Sequence, residues 1–140
     1  MTQVFFYHGA SDRLAAACAL LSGAYAKKKP MLVYASEPEV ASGLDRMLWT
    51  HSALSFVPHC RADSPLAAET PILITDNLES IPQDERLMNL SRDIPPGFSR
   101  FESLIEVVGQ DEEDRTAARD RVKFYKDRGY EVRYFDLSNR

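Results

Sequence analysis

The stretch Val4-Phe5-Phe6-Tyr7-His8-Gly9-Ala10-Ser11-Asp12-Arg13-Leu14-Ala15-Ala16-Ala17-Cys18-Ala19-Leu20-Leu21 decides the fold. Its first four residues are β-branched or aromatic and favour an extended, half-buried chain. His8 to Asp12 then supplies a turn and a helix N-cap, and Leu14 to Leu21 is a run of strong helix formers. The passage predicts strand, turn, helix.

The same alternation continues along the chain. Lys27-Lys28-Lys29-Pro30 ends the first helix with cations at its negative pole, and Met31-Leu32-Val33-Tyr34-Ala35 predicts a buried strand. Ser36 can cap a second helix reaching Leu48, with Val40, Leu44, Met47 and Leu48 at helical spacing. Trp49 closes that helix, a short apolar run leads to a proline-limited strand at Phe56-Val57-Pro58, and Cys60 to Thr70 is polar and small. Further strands are predicted at Pro71–Thr75, Asp84–Ser91 and Leu104–Gly109, with a loop at Ile94-Pro95-Pro96-Gly97. Asp111 to Asp114 opens a last helix that Gly129 closes, and Tyr130 to Phe135 alternates as a final strand. Strands alternating with helices predict one three-layer α/β domain over residues 1–140. Its sheet is mainly parallel with an antiparallel edge, and helices cover both faces.

Composition sets the outer limits. A chain of 140 residues buries roughly two-thirds of its unfolded surface, enough for an ordinary core. Apolar residues at 44% and charged residues at 27% are globular values. No apolar run approaches the ~18 residues that cross a bilayer, and Met1-Thr2-Gln3 enters a strand without a signal-like leader, so a cytoplasmic location with no membrane partner is expected. Two cysteines, Cys18 and Cys60, suggest ordinary thiols. The net charge of −4 excludes a duplex binder that works through a broadly basic face, leaving any nucleic-acid role local or indirect.

The residues capable of chemistry do not assemble into a motif. The turn after the first strand holds one glycine where a dinucleotide fingerprint uses three, and no Gly-Lys-Ser/Thr follows. His8, Ser11 and Asp12 still define the alternative reading, a small nucleotide-binding enzyme with its site at the first strand–helix turn, although capping alone requires a Ser or Asp there. His8, His51 and His59 lack metal-ligand spacing, and Asp111 to Asp114 lacks the alternation and glycine of a calcium loop and reads as a solvated helix start. No cofactor, metal or catalytic residue is expected.

The last helix carries the sharper signal. At about 100° per residue, Arg115, Arg119, Lys123 and Lys126 share one face, while Ala118, Val122 and Tyr125 form an adjoining apolar stripe. Cations beside an apolar shelf suit a short acidic peptide with an apolar, carboxylate-bearing end. A solvated basic face on an amphipathic helix accounts for the same residues. Trp49 and Phe56 likewise read either as closure of the core or as aromatic anchors of an interface.

Leu44-Asp45, Leu48-Trp49 and Ser55-Phe56-Val57-Pro58-His59 resemble the chi subunit of bacterial DNA polymerase III holoenzyme. Glu106-Val107-Val108, Arg119-Asp120-Arg121-Val122-Lys123-Phe124-Tyr125 and Gly129 are similar to its C-terminal region, and Lys28-Lys29-Pro30-Met31-Leu32-Val33 matches more loosely. The resemblance spans nearly the whole chain. It implies a Rossmann-like, non-catalytic accessory subunit in DNA replication that joins the clamp-loader assembly by pairing with the psi subunit. It also implies binding of the C-terminal tail of single-stranded DNA-binding protein, and an XPD-like helicase competing for the Phe56 surface. By residue match Trp49, Phe56 and Pro58 fall at the psi contact. Arg119 and Lys123 fall at the tail contact, Arg115 at a further basic position. Val122 stands where some members carry an aromatic residue, which implies a shallower apolar half to the tail pocket.

Overall fold

The computed structural model describes residues 1–50 and 57–138. The described strands are β1 (Gln3–Ala10), β2 (Met31–Tyr34), β3 (His59–Arg61), β4 (Ile72–Thr75), β5 (Arg86–Asn89), β6 (Ser103–Gly109) and β7 (Val132–Asp136). The helices are α1 (Arg13–Ala26), α2 (Pro38–Thr50) and α3 (Glu112–Asp127). The strands form one sheet in the order β3-β4-β2-β5-β6-β1-β7. Every neighbouring pair is parallel, including both edges, so the antiparallel edge expected from the sequence is absent from the described sheet. Each edge strand follows a helix: α2 precedes β3 and α3 precedes β7, and both crossovers return the chain to the end from which the preceding strand began.

Side-chain alternation divides the interior into two cores. On one face, Met31, Val33, Ile72, Ile74, Met88, Ile105 and Val107 pack with Ala17, Cys18 and Leu21 of α1 and with Ala41, Leu44 and Leu48 of α2. On the other, Val4, Phe6, Leu32, Leu87, Leu104 and Val108 pack with Ala118 and Tyr125 of α3, joined by Phe98 and Phe101 from the loop before β6. Helices thus flank both faces, the three-layer Rossmann-like arrangement in which a parallel sheet is buried on both sides.

Local chemistry accounts for the element ends. Asp12 accepts a hydrogen bond from the Ala15 amide at 3.1 Å and caps α1. Lys28 takes a left-handed conformation (φ 58°) just beyond the helix, so the lysine run acts as a C-terminal stop as well as a charge complement. Gly129 does the same after α3 with φ 84°, where a side chain would be strained. Cys18 is fully buried and its thiol is pushed up to about 11 by burial, with Asp12 adding to the shift. Both cysteines are free thiols. No described helix is long and apolar enough to cross a membrane.

Candidate functional site: a cationic cavity between α3 and the end of the sheet

α3 starts with an acidic turn whose members have different tasks. Asp111 accepts a hydrogen bond from the Asp114 amide at 2.9 Å, and that bond holds the Asp111 carboxyl below its usual range. Asp114 departs from the sequence expectation of a solvated helix start, because it is buried and ion-paired. Arg92 Nε donates to its Oδ1 at 3.0 Å, and Arg13 Nη1 lies 3.5 Å from the same oxygen. Arg13 also donates to the Leu90 carbonyl. These contacts fasten the start of α3 to α1 and to the loop leaving β5.

The underside of α3 is held by a second polar cluster. Glu106 of β6, fully buried, accepts from Tyr125 Oη at 2.7 Å, from Arg121 Nε at 3.1 Å and from Asn89 Nδ2 at 3.0 Å. Arg121 Nη1 also donates to the Arg92 carbonyl at 2.8 Å. Burial pushes the Glu106 carboxyl up, while Arg121, Tyr125 and Asn89 pull it back. Burial, reinforced by the adjacent carboxylate, raises the Tyr125 phenol and keeps it a donor. The sequence reading placed Tyr125 on the accessible apolar shelf. It is instead wholly buried beneath the helix, because its hydroxyl has a partner in the sheet and its ring packs on Phe6 and Phe98.

With its inner face pinned, α3 turns Arg115, Arg119, Lys123 and Lys126 outward, all exposed. Arg115 and Arg119 line a cavity of about 700 Å³, as do Ala118 and the partly buried Val122. Phe6 and Val108 contribute from the sheet, and Tyr134, Asp136 and Ser138 form the opposite side. His8, Gly9, Gly109 and Gln110 line it at the carboxyl ends of β1 and β6, where Gln110 Nε2 donates to the Gly9 carbonyl at 2.9 Å. The cavity is thus apolar within and cationic along α3.

Among the basic residues singled out in the sequence, Arg115 and Arg119 meet in this cavity. Lys126 borders it indirectly, its ammonium 5.3 Å from the centre of the Tyr134 ring. Lys123 is exposed on α3 but is not among the lining residues. Both cavity arginines lie 3.8 Å from Glu112, so one carboxylate already draws on the two guanidinium groups. The far side, built by β7, escaped sequence reading: β7 follows α3 directly in the chain, but only the sheet order beside β1 shows that Tyr134 and Asp136 face the helix across the cavity.

The second surface lies at the end of α2. Trp49 is 61% exposed, and its ring meets His59 edge-on at 5.5 Å between centroids. His59 Nε2 lies 3.1 Å from Asp45 Oδ1, which ties the start of β3 to α2. Pro58, immediately before β3, is half-buried. Phe56 lies outside the described residues. The core reading of Trp49 does not hold: most of its surface faces solvent, while Leu48 next to it takes the buried position.

At the first strand–helix turn, the residues of the enzyme alternative do different things. Asp12 is engaged as a cap, Ser11 is exposed, and His8 lines the cavity with its ring edge-on to Tyr134. No group of three or more His, Cys, Asp or Glu suited to holding a metal occurs among the described residues.

The family model described as DNA polymerase III chi subunit, HolC, matches residues 1–133. The chain is 32% identical over 136 residues to DNA polymerase III subunit chi of Pseudomonas aeruginosa, an alignment covering 93% of each protein. It is 27% identical over 117 residues to the subunit chi of Haemophilus influenzae, covering 83% of this chain and 81% of that one. The chain belongs to the DNA polymerase III chi subunit family, a family of replication accessory subunits.

Proposed function

We propose that this chain bridges two protein partners and performs no chemistry of its own. The α3 cavity takes the acidic C-terminal tail of single-stranded DNA-binding protein, with Arg115, Arg119, Lys123 and Lys126 receiving carboxylates and Val122 contributing to the apolar seat. Trp49, Phe56 and Pro58 dock the psi subunit and so join the chain to the clamp-loader assembly in the cytoplasm. An XPD-like helicase is a competitor for that second face. Contact with DNA is indirect.

One observation carries the tail reading: two guanidinium groups and an apolar interior belong to the same cavity. Guanidinium groups pair with carboxylates through directional, charge-assisted hydrogen bonds, and an apolar recess favours a hydrophobic last residue. The tether works by effective concentration, because many tails on one coated template make even a weak contact persistent. Calorimetric titration with intact single-stranded DNA-binding protein, and with the same protein lacking its last residues, tests this reading. Binding that depends on those residues and weakens with salt supports it, and equal binding by both overturns it. For the second face, Trp49→Ala should abolish co-elution with psi at a stability cost of about 1 kcal/mol or less, as for an exposed side chain. Undiminished co-elution would refute the docking role.

A further inference from the structure

We propose that strand β7, facing α3 across the cavity, sets the specificity of this site: Tyr134 receives the apolar end of the bound peptide, and Asp136 directs its terminal carboxylate toward Arg115 and Arg119. This inference rests on the tail-binding reading and assigns roles within that site to residues of the opposite side.

The two sides of the cavity differ in chemistry. α3 contributes cations and, at the partly buried Val122, a small aliphatic surface. Phe6 of β1 also lines the cavity but is buried at its base, so the exposed aromatic surface comes from β7, where Tyr134 is 48% exposed although its ring is well located. The Tyr134 ring lies 6.4 Å from that of Phe6 below it, 6.5 Å from His8, and 5.3 Å from the Lys126 ammonium. A ring braced on several sides yet open to solvent loses little freedom when a ligand side chain covers it, which favours binding.

Two residues further along β7, Asp136 projects to the same side of the strand as Tyr134. Its Oδ1 accepts a hydrogen bond from the Ser138 amide at 2.9 Å. Hydrogen bonding from the Ser138 side chain and then from that amide, helped by His8, holds its carboxyl below the usual range, so Asp136 is anionic at neutral pH. Cations on one side and an anion on the other make the cavity electrically polar. A peptide carboxylate is drawn to the arginines and repelled by Asp136, while an uncharged side chain meets no such opposition at Tyr134.

The test uses the full chain and three labelled synthetic acidic peptides of one sequence: one ends in phenylalanine with a free carboxylate, one in alanine, and one in phenylalanine amide. Tyr134→Ala should weaken the phenylalanine-ended peptide about tenfold, the scale of an aromatic contact, and leave the alanine-ended peptide unchanged. Tyr134→Thr, which retains strand propensity, should behave alike, and thermal melting establishes that both variants are folded. Asp136→Asn should strengthen the free-carboxylate peptide about two- to fivefold at low salt and have less effect on the amide. If wild-type protein binds the phenylalanine peptide and both Tyr134 variants keep its preference over alanine, the assignment to β7 falls while the tail reading stands. Unchanged affinity in Asp136→Asn removes the directing role. Failure of wild-type protein to bind any of the three peptides overturns the tail reading and this inference with it.

Discussion

Tyr125 Oη lies 2.7 Å from Glu106 Oε2 in the interior, so the helix that carries the cavity arginines is bonded to the sheet through a phenol–carboxylate contact. Tyr125→Phe removes the donor, keeps the ring and leaves Glu106 with Arg121 and Asn89. We expect a loss of about 1–3 kcal/mol in urea denaturation, the cost of leaving a buried acceptor short of a partner. Tail affinity measured well below the melting temperature should stay within about twofold of wild type, since the exposed face of α3 is untouched.

Arg121→Met should be harsher, because it leaves a buried carboxyl without its counter-charge, at about 3–5 kcal/mol near neutral pH. The pH dependence gives the sign. Burial raises Glu106 in the folded protein above its unfolded value, and such a group contributes stability at acid pH that is lost as pH rises through the folded value. Without Arg121 the folded value climbs further. The deficit of the variant relative to wild type should therefore be smaller at pH 5 than at pH 8. Denaturation curves at the two values check this, and a deficit that widens toward acid would contradict it.

Glu112 competes with any anionic ligand, since it lies 3.8 Å from both Arg115 and Arg119. Glu112→Gln should strengthen tail binding by up to about 1 kcal/mol, the upper range for exposed ion pairs, and the gain should shrink in high salt. Titration of a tail peptide at two ionic strengths measures both effects. Weaker binding by the variant would show that Glu112 serves the site rather than shielding it.

Arg119 and Lys123 stand one helical turn apart but differ in position, the former lining the cavity and the latter outside its lining. Arg119→Ala is expected to cost about 1.5–3 kcal/mol of tail affinity, the range for hydrogen bonds to charged groups. Lys123→Ala should cost about 1 kcal/mol or less, as a peripheral charge does. Calorimetry of the two variants side by side decides the order. Equal losses would move the acidic part of the peptide outward along α3.

The unequal legibility of these features has physical causes. The β1–α1 unit could be read because its hydrophobic pattern changes abruptly from strand to helix at Gly9 to Asp12. β3 was not legible as a strand, since its three residues carry almost no periodicity and the chain turns polar and small from Cys60. A helical projection correctly grouped Arg115, Arg119 and Val122, but it gives direction around an axis and not depth, so it placed Tyr125 on a shelf when that ring lies under the helix. The acidic run at Asp111 to Asp114 suggested solvation because nothing nearby in sequence announces Arg13 and Arg92. Tyr134 and Asp136 could not be assigned to the cavity for the same reason: the sheet order that sets β7 beside β1 is a long-range fact. The expectation at Phe56 concerns a residue outside those described.

Asp114 joins Arg13 and Arg92 at the very start of α3, and that has a mechanical consequence. A cord tied to the outer surface of a helix tends to peel it away from its end, where few contacts resist. Here the end is riveted to two other segments, and the middle is bolted through Glu106. Tension arriving at Arg119 is therefore shared across the sheet, so a moving load on the line should part the ligand from the helix before it parts the helix from the body.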